Sequence, residues 1–156
     1  MYKTILVPHG GTEAGDEALK HAINIAKASS AKIIILHIIE EISHPLTFAL
    51  ADSERENLLS SIKDANESIR KDMEKEMQKK IELCKKEGVS TEVSVVSGNA
   101  AEHIIELAKE KEVDLIVMAK RRKLKGVKKF LTLGSVSRKV VENVACPVLL
   151  IDIENL

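Results

Sequence analysis

Two stretches of this chain carry residue types whose spacing suits chemistry. The first is Pro8-His9-Gly10-Gly11-Thr12. Paired glycines ahead of a helix allow a tight turn and expose backbone N–H groups at the positive helix end, where an anion can sit. The same pattern also suits a plain turn into a helix capped by Thr12. Neither the G-x-G-x-x-G dinucleotide pattern nor a Walker A run is present. The second stretch, residues 120–129, reads KRRKLKGVKK; seven of its ten residues are basic and none is acidic. It leads to Gly134-Ser135-Val136-Ser137, a helix start with N–H and hydroxyl donors to offer a phosphate. A cationic loop joined to such a helix suits a phosphate-bearing ligand, and a solvated loop that aids solubility is the plainer alternative.

Other candidates carry less. His9 and His37 fall near the ends of neighbouring strands, but a third metal ligand is not evident, so no metal is expected beyond magnesium accompanying a nucleotide. His37 reads as a hydrogen-bonded core or cleft residue. His21 and His103 lie on helical patterns, and His44 lies in a Pro-containing stretch, residues 40–52, which reads as a flap beside the cleft. Ser135 and Ser137 have no identifiable general base, so no catalytic residue is assigned and an enzyme is the least favoured reading.

The elements that must position these residues follow from hydrophobic patterning. Five apolar runs read as strands: residues 4–8, 32–39, 92–97, 113–119 and 147–153. Four are near-continuous in Ile, Val and Leu, as in strands buried on both faces. The third alternates, as in a half-exposed strand near a sheet edge. Helical patterns separate them, at about 12–29, after Gly98, and at about 135–143. The second crossover is long: from Leu59, apolar positions at Ile62, Ala65, Ile69, Met73, Met77, Ile81 and Cys84 cover 25 residues in seven steps, close to the helical period. This predicts an amphipathic helix over about 53–87, ended by Gly88. Alternating strands and helices predict a parallel sheet with helices on both faces, and ligands in such sheets bind beyond the strands' carboxyl ends where strand order reverses. A receiver domain of a phosphorelay shares the strand count but needs acidic residues after the first strand, where this chain has His9-Gly10-Gly11.

Composition narrows the class. The 156 residues suit one domain, and 44% are apolar but only 2% aromatic, so the core is aliphatic and base stacking on single-stranded nucleic acid is not expected. Twenty-four basic residues balance twenty-four acidic ones, so nucleic acid is not an expected partner. Cys84 and Cys146 lack C-x-x-C or zinc spacing and read as reduced thiols. No apolar run reaches the ~20 residues of a membrane helix. The chain enters a strand at once, without a signal-peptide pattern. A cytoplasmic protein is expected.

Taken jointly, these residues resemble the universal stress protein family. The likeness rests on Ile5-Leu6-Val7-Pro8, Gly11-Thr12-Glu13, Ala18-Leu19, Ala31-Lys32, Leu36-His37-Ile38, Asp114-Leu115-Ile116-Val117-Met118, Gly134-Ser135-Val136-Ser137 and Cys146-Pro147-Val148-Leu149. It covers most of the chain except residues 41 to about 87. The resemblance implies a single Rossmann-like α/β domain over 1–156, with a five-stranded parallel sheet in order 3-2-1-4-5. It also implies a homodimer paired through the last strand, residues 147–153. One branch of the family binds ATP, and ATP or another adenine nucleotide is the ligand implied here. Pro8 and Ile38 match positions beside the adenine, Met118 matches the fourth-strand methionine, and Gly134-Ser135-Val136 matches the phosphate-binding end. Three positions depart: Ala119 and Arg122 replace motif glycines, and Gly10 replaces an aspartate that contacts ribose and base. The loop to Gly134 is also longer. Side chains at Ala119 and Arg122 obstruct close backbone approach, whereas Arg121, Arg122 and Lys123 can grip phosphate directly. The expected site is therefore Pro8, His9, Gly10 and Ile38 around the base, Met118 and Ala119 at the end of the fourth strand, and Arg121, Arg122, Lys123, Gly134, Ser135 and Val136 around phosphate. A nucleotide-independent module acting through unknown protein partners is the alternative.

Overall fold

Aliphatic runs become strands here because helices cover both faces of the sheet they form. In the computed structural model, which describes residues 1–40, 50–120 and 134–152, the chain runs β1 (Thr4–Pro8), α1 (Glu13–Ser29), β2 (Lys32–Ile39), α2 (Asp52–Lys86), β3 (Thr91–Ser97), α3 (Ala100–Glu110), β4 (Leu115–Ala119), α4 (Ser135–Asn143) and β5 (Val148–Ile151). All neighbours pair in parallel, in the expected order β3-β2-β1-β4-β5. The flap residues 41–49 and the basic-loop residues 121–133 lie outside the described residues, as do residues 153–156.

The chain steps from β1 to β2 to β3 in one direction and then returns past β1 to β4 and β5. Right-handed crossovers therefore put α1 and α2 on one face and α3 and α4 on the other. Alternate strand residues feed the two cores. Ile5, Val7, Ile33 and Ile35 meet Leu19, Ala22 and Ala26 of α1 and Met77 and Cys84 of α2. Leu6, Ile34, Leu36, Ile116 and Met118 meet Ala101, Ile104 and Ala108 of α3 and Val140 of α4. As expected for an edge strand, β3 is mostly half-buried along its length.

Two apolar runs are longer than their strands, for polar reasons. Val113 closes the end of α3 by donating to the Ala108 carbonyl (2.9 Å), and the Asp114 carboxylate accepts from the Lys3 and Thr4 amides at 2.8 and 2.9 Å. Strand β4 therefore starts only at Leu115. Pro147 has no N–H to give, though its carbonyl accepts from Ile116, and β5 starts at Val148. Thr12 caps α1, accepting from the Gly15 amide at 3.4 Å.

Helix α2 ends as expected just before Gly88, which has φ +75°. Its apolar period is real, but only Ile62, Met77 and Cys84 are buried, and Leu59, Ala65, Ile69, Met73 and Ile81 are half-buried. Length explains part of this. Thirty-five helical residues span about 52 Å, against about 26 Å for the eight residues of β2. The C-terminal half lies on the sheet, and the N-terminal half runs on beyond the strands' carboxyl ends. Arg70 marks the transition, donating to the Val95 carbonyl (3.2 Å) and Ser97 Oγ (2.8 Å) at the end of β3. Among the described residues no helix is long and apolar enough to cross a membrane.

Candidate functional site

The strand order reverses between β1 and β4, so the crevice of interest lies beyond Pro8 and Ala119. Several of the expected residues converge there. Pro8 ends β1 opposite Leu36 and is half-buried. Met118 is buried near the end of β4, in the core cluster on the α3 and α4 face. Ile38 from β2 and Val136 from the first turn of α4 pack against that same cluster. Ala119 packs toward the other face, among the residues beneath α1. Gly134 is the N-cap of α4, and Ser135 opens the helix with its side chain exposed. Arg121, Arg122 and Lys123 lie outside the described residues.

The two helix starts that flank the reversal, α1 after β1 and α4 after β4, differ in charge. Helix α1 has the Thr12 cap and carries Glu13 and Asp16 in its first turn. Helix α4 has no side-chain cap and no acidic residue in its first turn. The positive end of α4 is thus the one its own side chains leave unneutralised, and it suits an anion better than α1 does.

The 8–12 loop has an interior that the sequence did not reveal. The His9 side chain has no exposed surface. The ring continues the alternation of Ile5 and Val7 and points into the α1 and α2 layer, so toward the crevice His9 can offer only backbone. Its Nδ1 accepts from the Gly11 amide at 3.0 Å, which places the ring proton on Nε2, donating to Asp16 Oδ1 at 3.0 Å. The same carboxylate oxygen is 2.6 Å from Lys80 Nζ of α2. The His9 amide donates to the Leu36 carbonyl (2.9 Å), and His37 Nδ1 donates to the His9 carbonyl (2.7 Å). Burial pushes the His9 imidazole below its ordinary range, against the pull of Asp16, with Lys80 and His37 adding to the depression. Burial alone would raise Asp16, but hydrogen bonds from Lys80 and His9 outweigh it and hold the carboxyl below the usual range.

These bonds occupy both nitrogens of His9, so it has no free nitrogen for a metal. No group of three His, Cys, Asp or Glu side chains able to hold a metal ion exists among the described residues. Asp16 and Lys80 went unnoticed in the sequence. The available signal was positional: Lys80 falls on the apolar stripe of α2 between Met77 and Cys84, and its side chain is only 16% exposed.

Gly10 and Gly11 play different parts. Gly11 has φ +72°, a left-handed conformation that favours glycine. Gly10 is exposed and lacks this constraint, and a Cβ added there would meet none of the described residues within 4 Å. Among the described residues, the loop apex is open to an incoming group.

Comparison with known proteins agrees with this architecture. The model of the universal stress protein family matches residues 1–152. A universal stress protein of Methanocaldococcus jannaschii is 32% identical over 151 residues, covering 97% of this chain and 82% of that protein. A solved structure of a second protein from that organism superposes with a TM-score of 0.78 at 24% identity, covering 100% of this chain and 99% of the other. Two more distant structures share the fold. One is a universal stress protein in complex with cAMP (TM-score 0.59, 23% identity, 97% of each chain). The other is the universal stress protein of Archaeoglobus fulgidus in complex with dAMP (TM-score 0.61, 18% identity, 96% of this chain and 98% of the other). The chain belongs to the universal stress protein family.

Proposed function

We propose that this protein is a non-catalytic regulatory domain that senses an adenine nucleotide, ATP or a relative of it, in the crevice between β1 and β4. The observation that carries the reading is the uncapped, acid-free start of α4, reached through a strongly basic segment and placed at the reversal of strand order. Gly134 and Ser135 receive phosphate there, aided by Arg121, Arg122 and Lys123, and Pro8, Gly10 and Ile38 border the base. That two proteins of this fold were solved with cAMP and dAMP supports an adenine ligand. Magnesium would accompany a triphosphate. The reduced thiols Cys84 and Cys146 suit the cytoplasm, and the open edge of β5 suits a homodimer.

A second reading, a nucleotide-independent interaction module, draws on a different surface. A groove of about 400 Å³ runs between β3 and α3, lined by Leu36, Val96 and Leu107 with Glu92, Glu106, Glu110 and Lys111. Its apolar floor and mixed, mainly acidic charges suit an amphipathic segment of a protein partner that carries basic residues.

The two readings separate in one experiment. Small molecules released from gently purified, denatured protein are identified by mass spectrometry, and melting is followed with millimolar ATP. The nucleotide reading expects an adenine nucleotide or a clear upward shift, abolished by the double substitution Arg121→Ala and Arg122→Ala. A shift unchanged in that variant would remove the arginines from the site, and no shift in the parent protein would favour the interaction module.

A further inference from the structure

We infer that His9, Asp16 and Lys80 form a positioning relay that fixes the 8–12 loop from beneath and ties the proposed nucleotide crevice to helix α2. Its consequence for ligand affinity rests on the nucleotide reading above, and the relay itself rests on geometry alone.

A neutral imidazole can accept at Nδ1 only if its proton is on Nε2, and Asp16 selects that tautomer by accepting there. The acceptor at Nδ1 is what turns the Gly11 amide inward, and Gly11 holds that pose at φ +72°. From β2, His37 secures the His9 carbonyl at 2.7 Å. Two imidazoles thus bind the loop's inner backbone groups, and Gly10 is left at the apex facing the crevice.

The ring is held as tightly by packing as by hydrogen bonds. A Cβ on Gly15 would stand 3.0 Å from His9 Cε1 and Nδ1, so α1 approaches the ring face closely enough that a side chain there would push the ring by a few tenths of an ångström. Asp16 is itself held by Lys80 at 2.6 Å. Met73, seven residues earlier on the same face of α2, lies 3.8 Å from where a Gly11 Cβ would stand. Helix α2 therefore meets the loop and its support at two successive levels. Its N-terminal half continues past the sheet, so a ligand that shifts the loop must also shift this helix or be resisted by it. Asp16 and Lys80 act from beneath the loop that walls the crevice, through the His9 ring.

Nuclear magnetic resonance of the ¹⁵N-labelled full chain tests this, with two-bond imidazole spectra reporting the His9 tautomer and hydrogen exchange reporting the Gly11 amide. The native protein should show the Nε2–H tautomer and a protected Gly11 amide. Asp16→Ala should mix the tautomers and speed Gly11 exchange by roughly 3- to 10-fold, the span expected for losing one hydrogen bond. Asp16→Asn keeps an acceptor and should restore the tautomer. Lys80→Met, which removes the ammonium and keeps most of the side-chain bulk at a largely covered position, should speed Gly11 exchange by a smaller factor without changing the fold. ATP affinity should weaken in the same order. Gly11 exchange that stays native in Asp16→Ala overturns the relay. If Asp16→Ala does not fold, native exchange in Lys80→Met does so. Exchange that responds as expected in a chain that binds no ATP upholds the relay and defeats the nucleotide reading alone.

Discussion

Gly10 and Gly11 are adjacent and identical in type, yet a substitution at each should have opposite consequences. A side chain at Gly11 meets a left-handed backbone and turns against His37 and Met73, whereas a side chain at Gly10 meets none of the described residues within 4 Å. Gly10→Asp should therefore change stability by no more than about 0.5 kcal/mol. It also places a carboxylate beside the proposed ribose, where it can accept from sugar hydroxyls, so titration calorimetry should record tighter binding of ATP and of adenosine than in the parent chain. Unchanged or weaker binding of both would mean that the base and ribose do not lie over Pro8 and Gly10. In the sequence the glycine pair announced a turn, but residue type alone could not divide the two roles, because that depends on which amide His9 captures. The direction of the His9 ring was misread: expected beside the base, the ring instead continues the alternation of Ile5 and Val7 and turns inward to Asp16. Lys80, the ion-pair partner of Asp16, was harder to see, being one lysine among many on a helix rich in charge.

Among the elements, α2 combines two regimes in one helix. Met77 has no exposed surface and packs with Val7, Ile33 and Ile35. Leu59 is half-buried and lies beyond the end of the strands. Met77→Ala should cost about 2–5 kcal/mol, the usual range for emptying a core position. Leu59→Ala should cost under about 1 kcal/mol, with no sheet beneath it to leave a cavity. Urea denaturation of both variants measures the difference, and equal losses would show that the overhanging half is packed as firmly as the half on the sheet. The helix itself was plain from its period, as were the strands from their aliphatic runs and their order from the family likeness. The starts of β4 and β5 were misplaced because Val113 and Pro147 are apolar, yet one serves the end of α3 and the other lacks an amide. How deeply α2 is buried was not legible, because period reports which face is apolar and says nothing of how far the surface beneath extends.

For the molecule as a whole, the two edges of the sheet are treated differently. At β3, Arg70 reaches from α2 to the Val95 carbonyl and Ser97, so the chain's own side chain engages that edge. Strand β5 pairs with β4 alone among the described elements, and Leu149 within it is 36% exposed, with Val141 of α4 another exposed aliphatic residue at 44%. An apolar strand with an open edge invites pairing with another chain. A second copy meeting β5 would pair with the edge that no described strand covers and remove Leu149 from water. With equal numbers of acidic and basic residues, net charge does not oppose two copies associating. Light scattering after size exclusion should find a dimer at micromolar concentration. Leu149→Lys should shift it to monomer, because the charge would have to be buried at the joint. Val93→Lys, on the β3 edge strand, should leave the dimer intact. A dimer that survives Leu149→Lys but is lost with Val93→Lys would move the interface to the opposite edge of the sheet, and a parent chain that runs as a monomer would leave β5 to some other partner.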